Sequence, residues 1–139
     1  LFAAARSPDA LALAHAAHDL ACRAGDPALQ FRTSAACGIV HGDAGDFVTA
    51  IEYHLEALRA ATAGDIRREM GRAWCNIGVA FSAAGNYTLA APSFHRALEL
   101  CDPDESVAPH RFFAAAVAAV DARQVTWPAL NTLLNSQNL

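Results

Sequence analysis

The chain has 139 residues, 54% of them hydrophobic, and a formal net charge of −4. That length supports one ordinary domain with its own core. The mild acidity gives no overall basic field of the kind that draws a protein to nucleic acid or to an anionic bilayer.

Alternating Val/Ile/Thr runs are missing, and the breakers fall between segments of helical length, so the chain reads as all-α. LFAAAR closes a first helix; opening on Leu1 with no methionine, it reads as part of a longer protein. SPDALALAHAAHDLACRAG follows, with Ser7 as N-cap and Pro8 at the first helical position. Next come PALQFRTSAACGIVHGD, DFVTAIEYHLEALRAAT, IRREMGRAWCNIGVAFSAA and NYTLAAPSFHRALELC. Beyond CDPDES, helices are predicted from about Pro109 to Asp121 and from Thr126 or Trp127 to about Ser136. Short loops between such helices make neighbours antiparallel. Pro92 falls inside its helix, where it costs roughly 3 kcal/mol, and reads either as a tolerated kink or as a shaped surface.

The segments repeat. Gly38 and Gly78 lie forty residues apart, as do Arg32 and Arg72, Gly45 and Gly85, Phe47 and Tyr87, Ala50 and Ala90, and Ala57 and Ala97. A fixed period in this range marks a helical array in which each unit buries its apolar face only against the next. Glycine inside a helix costs about 1 kcal/mol against alanine, so Gly78 is expected where two helices cross closely, with Gly85 as the turn between them.

These residues carry a family resemblance. Residues 71 to 104 resemble a tetratricopeptide repeat: Trp74, Ile77, Gly78 and Phe81 match W-x2-L-G-x2-Y, and Ala90, Phe94 and Ala97 match its second helix. The unit from Phe31 is similar, with Ser34 for the tryptophan, Cys37 and Gly38 for Leu-Gly, and His41 and His54 at aromatic positions. The longer helices resemble the forty-residue variant in Leu-Gly-Asn scaffolds and in bacterial signalling proteins. The resemblance implies a right-handed α-solenoid of antiparallel helix pairs, about three and a half repeats in one domain, 1–139, with units near 1–26, 27–64, 65–104 and 105–139.

It also implies a protein or peptide interaction module. In this family the first helices line a concave groove, which here places Arg32, Ile39 and Asp43 in one repeat and Arg72, Cys75, Asn76, Val79 and Ser82 in the next. His110 and Phe113 follow in the C-terminal unit. Arg32, Arg72 and His110 would form a ladder of donors suited to an acidic peptide segment, around an apolar floor. Alternatively the arginines pair with local acids such as Glu69 and only solvate a helix face. The resemblance does not extend to the clamp that holds chaperone tails: its asparagine is replaced by Ile39 and Val79, and the chain has no lysine. Two other functions remain open, a small-ligand or signalling-peptide sensor and a self-assembling structural module.

Other chemistry has little support. Arg67, Arg68 and Arg72 cluster in IRREMGR, but Asp65 and Glu69 blunt their field, so nucleic acid is not an expected partner. His15, His18 and Cys22 share one helical face at i, i+3, i+7 spacing, as metal ligands can; no further ligand stands out, and the expectation is a set of partly buried polar positions with no metal or cofactor. With no phosphate-cradling glycine loop, HExxH motif or nucleophile elbow, the chain reads as non-enzymatic. Cys22, Cys37, Cys75 and Cys101 form no CxxC pair and read as small buried hydrophobes in a reducing, cytoplasmic setting. No apolar run reaches the eighteen or so residues that span a bilayer.

Overall fold

The computed structural model describes residues 8–100, and all of the regular structure among them is α-helical. Helix α1 is Pro8–Ala24, α2 Pro27–Asp43, α3 Phe47–Ala63, α4 Arg67–Ala83 and α5 Tyr87–Leu100. The predicted Ser7 cap, Cys101 and the two helices beyond residue 100 lie outside the described residues.

The turns explain the spacing. Gly25, Gly45, Asp65 and Gly85 come at intervals of twenty residues, and all adopt the left-handed backbone that stops a helix, with φ of +67°, +84°, +52° and +81°. In the last three turns the same backbone bond closes the helix end: Asp46 N–H to His41 C=O at 2.9 Å, Ile66 N–H to Ala61 C=O at 2.9 Å, and Asn86 N–H to Phe81 C=O at 2.8 Å. Side chains then start the next helix. Asp26 accepts from Ala28 N–H at 2.9 Å ahead of Pro27, Asp46 from Thr49 N–H at 3.3 Å, and Asn86 from Leu89 N–H at 3.2 Å. Position 66, where an isoleucine stands, has no such oxygen, and position 65 takes left-handed φ without being glycine. The α3–α4 turn is therefore the chemically irregular one. Two helices and two turns make up the forty-residue period.

Helix α5 continues through Pro92. The ring removes one helical donor, and Pro92 is exposed together with Thr88, whose carbonyl loses that donor, so solvent can take its place.

The helices pack in consecutive pairs, and the chain divides into two compact units between Ile66 and Arg67. In the first unit α2 packs on both α1 and α3. In the second, α4 packs on α5. Both hairpins are antiparallel: Gly64, beside the end of α3, approaches Pro27 at the start of α2, while Gly71 near the start of α4 approaches Leu100 at the end of α5. Two glycines inside helices, Gly38 and Gly78, lie close against rings of the partner helix. A Cβ on Gly38 would stand 2.5 Å from the His54 ring, and one on Gly78 would stand 2.9 Å from the Phe94 ring. Real Cβ atoms do not approach so closely, so each glycine is the notch that receives a ring from the partner helix. Phe94, Ile77, Ala57 and Ala97 are buried around these crossings.

Candidate functional site

On α2, Arg32 is exposed, Ile39 is 43% exposed and Asp43 is half-buried. Together with the exposed Leu29 and Ala36 they recur every three or four residues and form one stripe along the helix. On α4 the predicted groove set is largely withdrawn from solvent: Val79, in the register of Ile39, is buried, Arg72 and Asn76 are half-buried, and Cys75 and Ser82 are buried as Ala35 and Gly42 are at the same places on α2. The two arginines also differ in their surroundings. Arg72 lies 3.6 Å from Glu69 on its own helix, the local pairing that the sequence left open. Arg32 has no carboxylate partner among the described residues. His110 and Phe113 lie outside the described residues.

The densest polar chemistry lies elsewhere, in the first unit, where α1 brings histidines to α2 and α3. Tyr53 on α3 places its hydroxyl 3.0 Å from His15 Nδ1, and His15 Nε2 is 3.2 Å from His41 Nε2 on α2. The far nitrogen of His41 faces Asp46 Oδ2 at 3.6 Å, an ion-pair distance. One proton arrangement satisfies the row. His41 Nδ1–H points to the carboxylate, His41 Nε2 accepts from His15 Nε2–H, and His15 Nδ1 accepts from the phenol. Burial is the main cause that raises the Tyr53 phenol, followed by Cys37, Glu56, Asp19 and Glu52, so the phenol stays a donor. Hydrogen bonds from Thr49, chiefly, and then the neighbouring His41 hold the Asp46 carboxyl below its usual range. The Tyr53 ring stacks on His41 with centroids 5.5 Å apart and planes 13° from parallel.

One turn along α1, His18 is buried and makes a second cluster. Its Nδ1 lies 2.9 Å from Thr33 Oγ1, its Nε2 lies 2.9 Å from Glu56 Oε1, and the Cys22 thiol is 3.6 Å from the same Nε2. The donor atoms of His18, Cys22 and Glu56 all lie within 4.8 Å of one another. The face noticed in the sequence thus divides: His15 joins the Tyr53–His41 row, whereas His18 and Cys22 converge on Glu56. Nothing in the sequence singled out Glu56, because it reaches the cluster from α3, thirty-four residues beyond Cys22.

The remaining buried polar groups are of the core type. Burial, reinforced by Glu56 and Asp19, pushes the Cys37 thiol up to about 11, and burial likewise pushes the Cys75 thiol up. Both thiols are free, as is that of Cys22, but neither core thiol forms thiolate readily. His54 lies in the Gly38 notch with Nδ1 unpaired, and burial lowers its pKa to about 4. Among the described residues no helix is long and apolar enough to cross a membrane. No family model matches the sequence, and no curated protein matches it either.

Proposed function

We propose that the chain is a tetratricopeptide-like interaction module, a right-handed solenoid of about three and a half repeats that docks a partner peptide. The observation that carries this reading is the α2 stripe. Leu29, Arg32, Ala36 and Ile39 turn outward together, with Leu29 and Ile39 each more than two-fifths exposed, and Arg32 is left without a carboxylate among the described residues. An extended or helical segment offering apolar side chains and an Asp or Glu complements that pattern, because an arginine fork takes a carboxylate bidentately. The recurrence of the turns supports the repeat reading. Within it, Arg72 is the weaker anchor because Glu69 already answers its charge, and Asn76 is an amide able to bond a peptide backbone. The free thiols of Cys22, Cys37 and Cys75 suit a reducing, cytoplasmic setting, and a module of this kind would serve as the docking part of a larger bacterial regulator.

Panning a random-peptide display library against the folded chain tests this. The enriched peptides should combine acidic and apolar residues, and Arg32→Glu should weaken them about tenfold or more, the worth of one charge-assisted hydrogen bond. Ile39→Asp should do the same, with helix content by circular dichroism unchanged for both exposed positions. Peptides that bind both variants as tightly as the parent chain would overturn the reading.

A further inference from the structure

We infer that His18, Cys22 and Glu56 form a binding site for a zinc-class divalent metal, joining α1 to α3 independently of peptide docking. The first support is the direction of the hydrogen bonds. Thr33 Oγ1 lies 2.9 Å from the Leu29 carbonyl and 3.3 Å from that of Gln30. Carbonyls only accept, so the hydroxyl hydrogen is spent there, and Thr33 must accept from His18 Nδ1–H. In the neutral ring, His18 Nε2 then carries a lone pair aimed at a carboxylate oxygen 2.9 Å away. Two lone pairs cannot face each other at that distance; either a proton or a metal ion must lie between them. The neighbouring Tyr53–His15–His41–Asp46 row has no such conflict, which separates the two clusters chemically.

Geometry supplies the second support. With bonds of roughly 2.0–2.1 Å to nitrogen or oxygen and about 2.3 Å to sulfur, a tetrahedral zinc centre has N···S edges of about 3.6 Å and N···O edges of roughly 3.3 Å. The observed separations are 3.6 Å for Cys22 Sγ to His18 Nε2 and 2.9 Å for Glu56 Oε1 to the same nitrogen, so a small opening of the carboxylate would seat the ion. A nucleophilic triad is a poorer match. There the thiol and the carboxylate would face opposite nitrogens of the imidazole, whereas here both face Nε2, the convergence that a cation requires. Thr33 fills the position of an outer-shell partner, fixing the tautomer that leaves Nε2 free. Burial chiefly, and after it the charges of Glu56 and Asp19 among others, push up the Cys37 thiol and the Tyr53 phenol, so these two carboxylates add negative charge to the surroundings. Cys22 is exposed and Glu56 half-exposed, which leaves a fourth position open to water or to an external ligand. Binding would release to solvent the proton held between His18 and Glu56 and that of the Cys22 thiol.

Zinc titration by calorimetry and cobalt substitution followed by absorption test the site. The expected result is one equivalent bound per chain, proton release seen as a buffer-dependent enthalpy, a thiolate-to-cobalt charge-transfer band and a zinc-dependent rise in melting temperature. Cys22→Ser should abolish the band, and Cys22→Ser and Glu56→Gln should each weaken zinc binding about tenfold or more. Thr33→Val should weaken it about 10- to 100-fold with every ligand in place, the usual effect of losing an outer-shell partner. Because buried His18 could be needed for folding, the two solvent-reaching ligands decide the question, with helix content confirmed for each variant. Absence of zinc binding, or binding that Cys22→Ser and Glu56→Gln leave unchanged, would overturn the assignment.

Discussion

In the α2–α3 hairpin the ring seated against the crossing glycine is His54, opposite Gly38. Forty residues later, in α4–α5, it is Phe94, opposite Gly78. The neighbouring positions differ in the same sense. Ser34, which donates to the Tyr53 carbonyl at 2.7 Å, stands where the second hairpin has Trp74, and His41 stands where it has Phe81. Both hairpins nonetheless close with the same bonds at their turns, so backbone geometry does not distinguish them. In both hairpins the glycine notch holds a flat ring, polar in one and apolar in the other. The polar version occurs in the hairpin against which α1 packs, carrying His15, His18 and Cys22.

The largest test of this contrast is acid. The folded pKa of His54, about 4, lies below the ordinary 6.5, so the unfolded chain takes up the proton first as the pH falls. The stability that depends on neutral His54 should be intact above about pH 6.5 and should be lost progressively toward pH 4, by roughly 3 kcal/mol. Denaturant unfolding of the parent chain and of His54→Phe across that range measures it. The variant copies the Phe94 arrangement and should shed this part of the acid sensitivity, and an unchanged pH profile would break the comparison. A smaller effect is expected at the notches. Gly38→Ala and Gly78→Ala each gain about 1 kcal/mol of helix propensity but must displace a buried ring, at a cost of about 1–3 kcal/mol. Because the His54 ring lies closer than the Phe94 ring, Gly38→Ala should lower the melting temperature more, and the reverse order would show that Phe94 is the less yielding neighbour. The smallest effects belong to the turns. At Gly45 and Gly85 an added Cβ would meet nothing within 4 Å, so alanine there should cost only the left-handed strain, about 1 kcal/mol. Asp65→Gly should stabilise by a fraction of that amount, since aspartate tolerates the left-handed region better than most residues.

Much of the helical frame was legible because it rests on local rules. Pro8 at the first helical position and Gly85 in the turn between helices both act within a few bonds of the residue concerned. The α2 stripe was half legible. Arg32 and Ile39 are outward, but Val79, in the register of Ile39 on α4, is buried, as are Cys75 and Ser82, and burial depends on what packs over a helix. His15, His18 and Cys22 were visible as one helical face, yet sequence spacing cannot show that the face would split, with His15 turning to Tyr53 and His41 while His18 and Cys22 meet Glu56.

By itself, the sequence determined where helices start and stop and that two glycines would be crossing points, because backbone conformation, caps and helical period are set by near neighbours. Only the tertiary structure decided that one crossing holds a histidine without a hydrogen-bond partner at Nδ1, and that Glu56 completes a cluster with two residues of α1. Such contacts join groups sixteen or more residues apart, and their chemistry depends on desolvation and on the direction of each hydrogen bond, which exist only once the helices have packed.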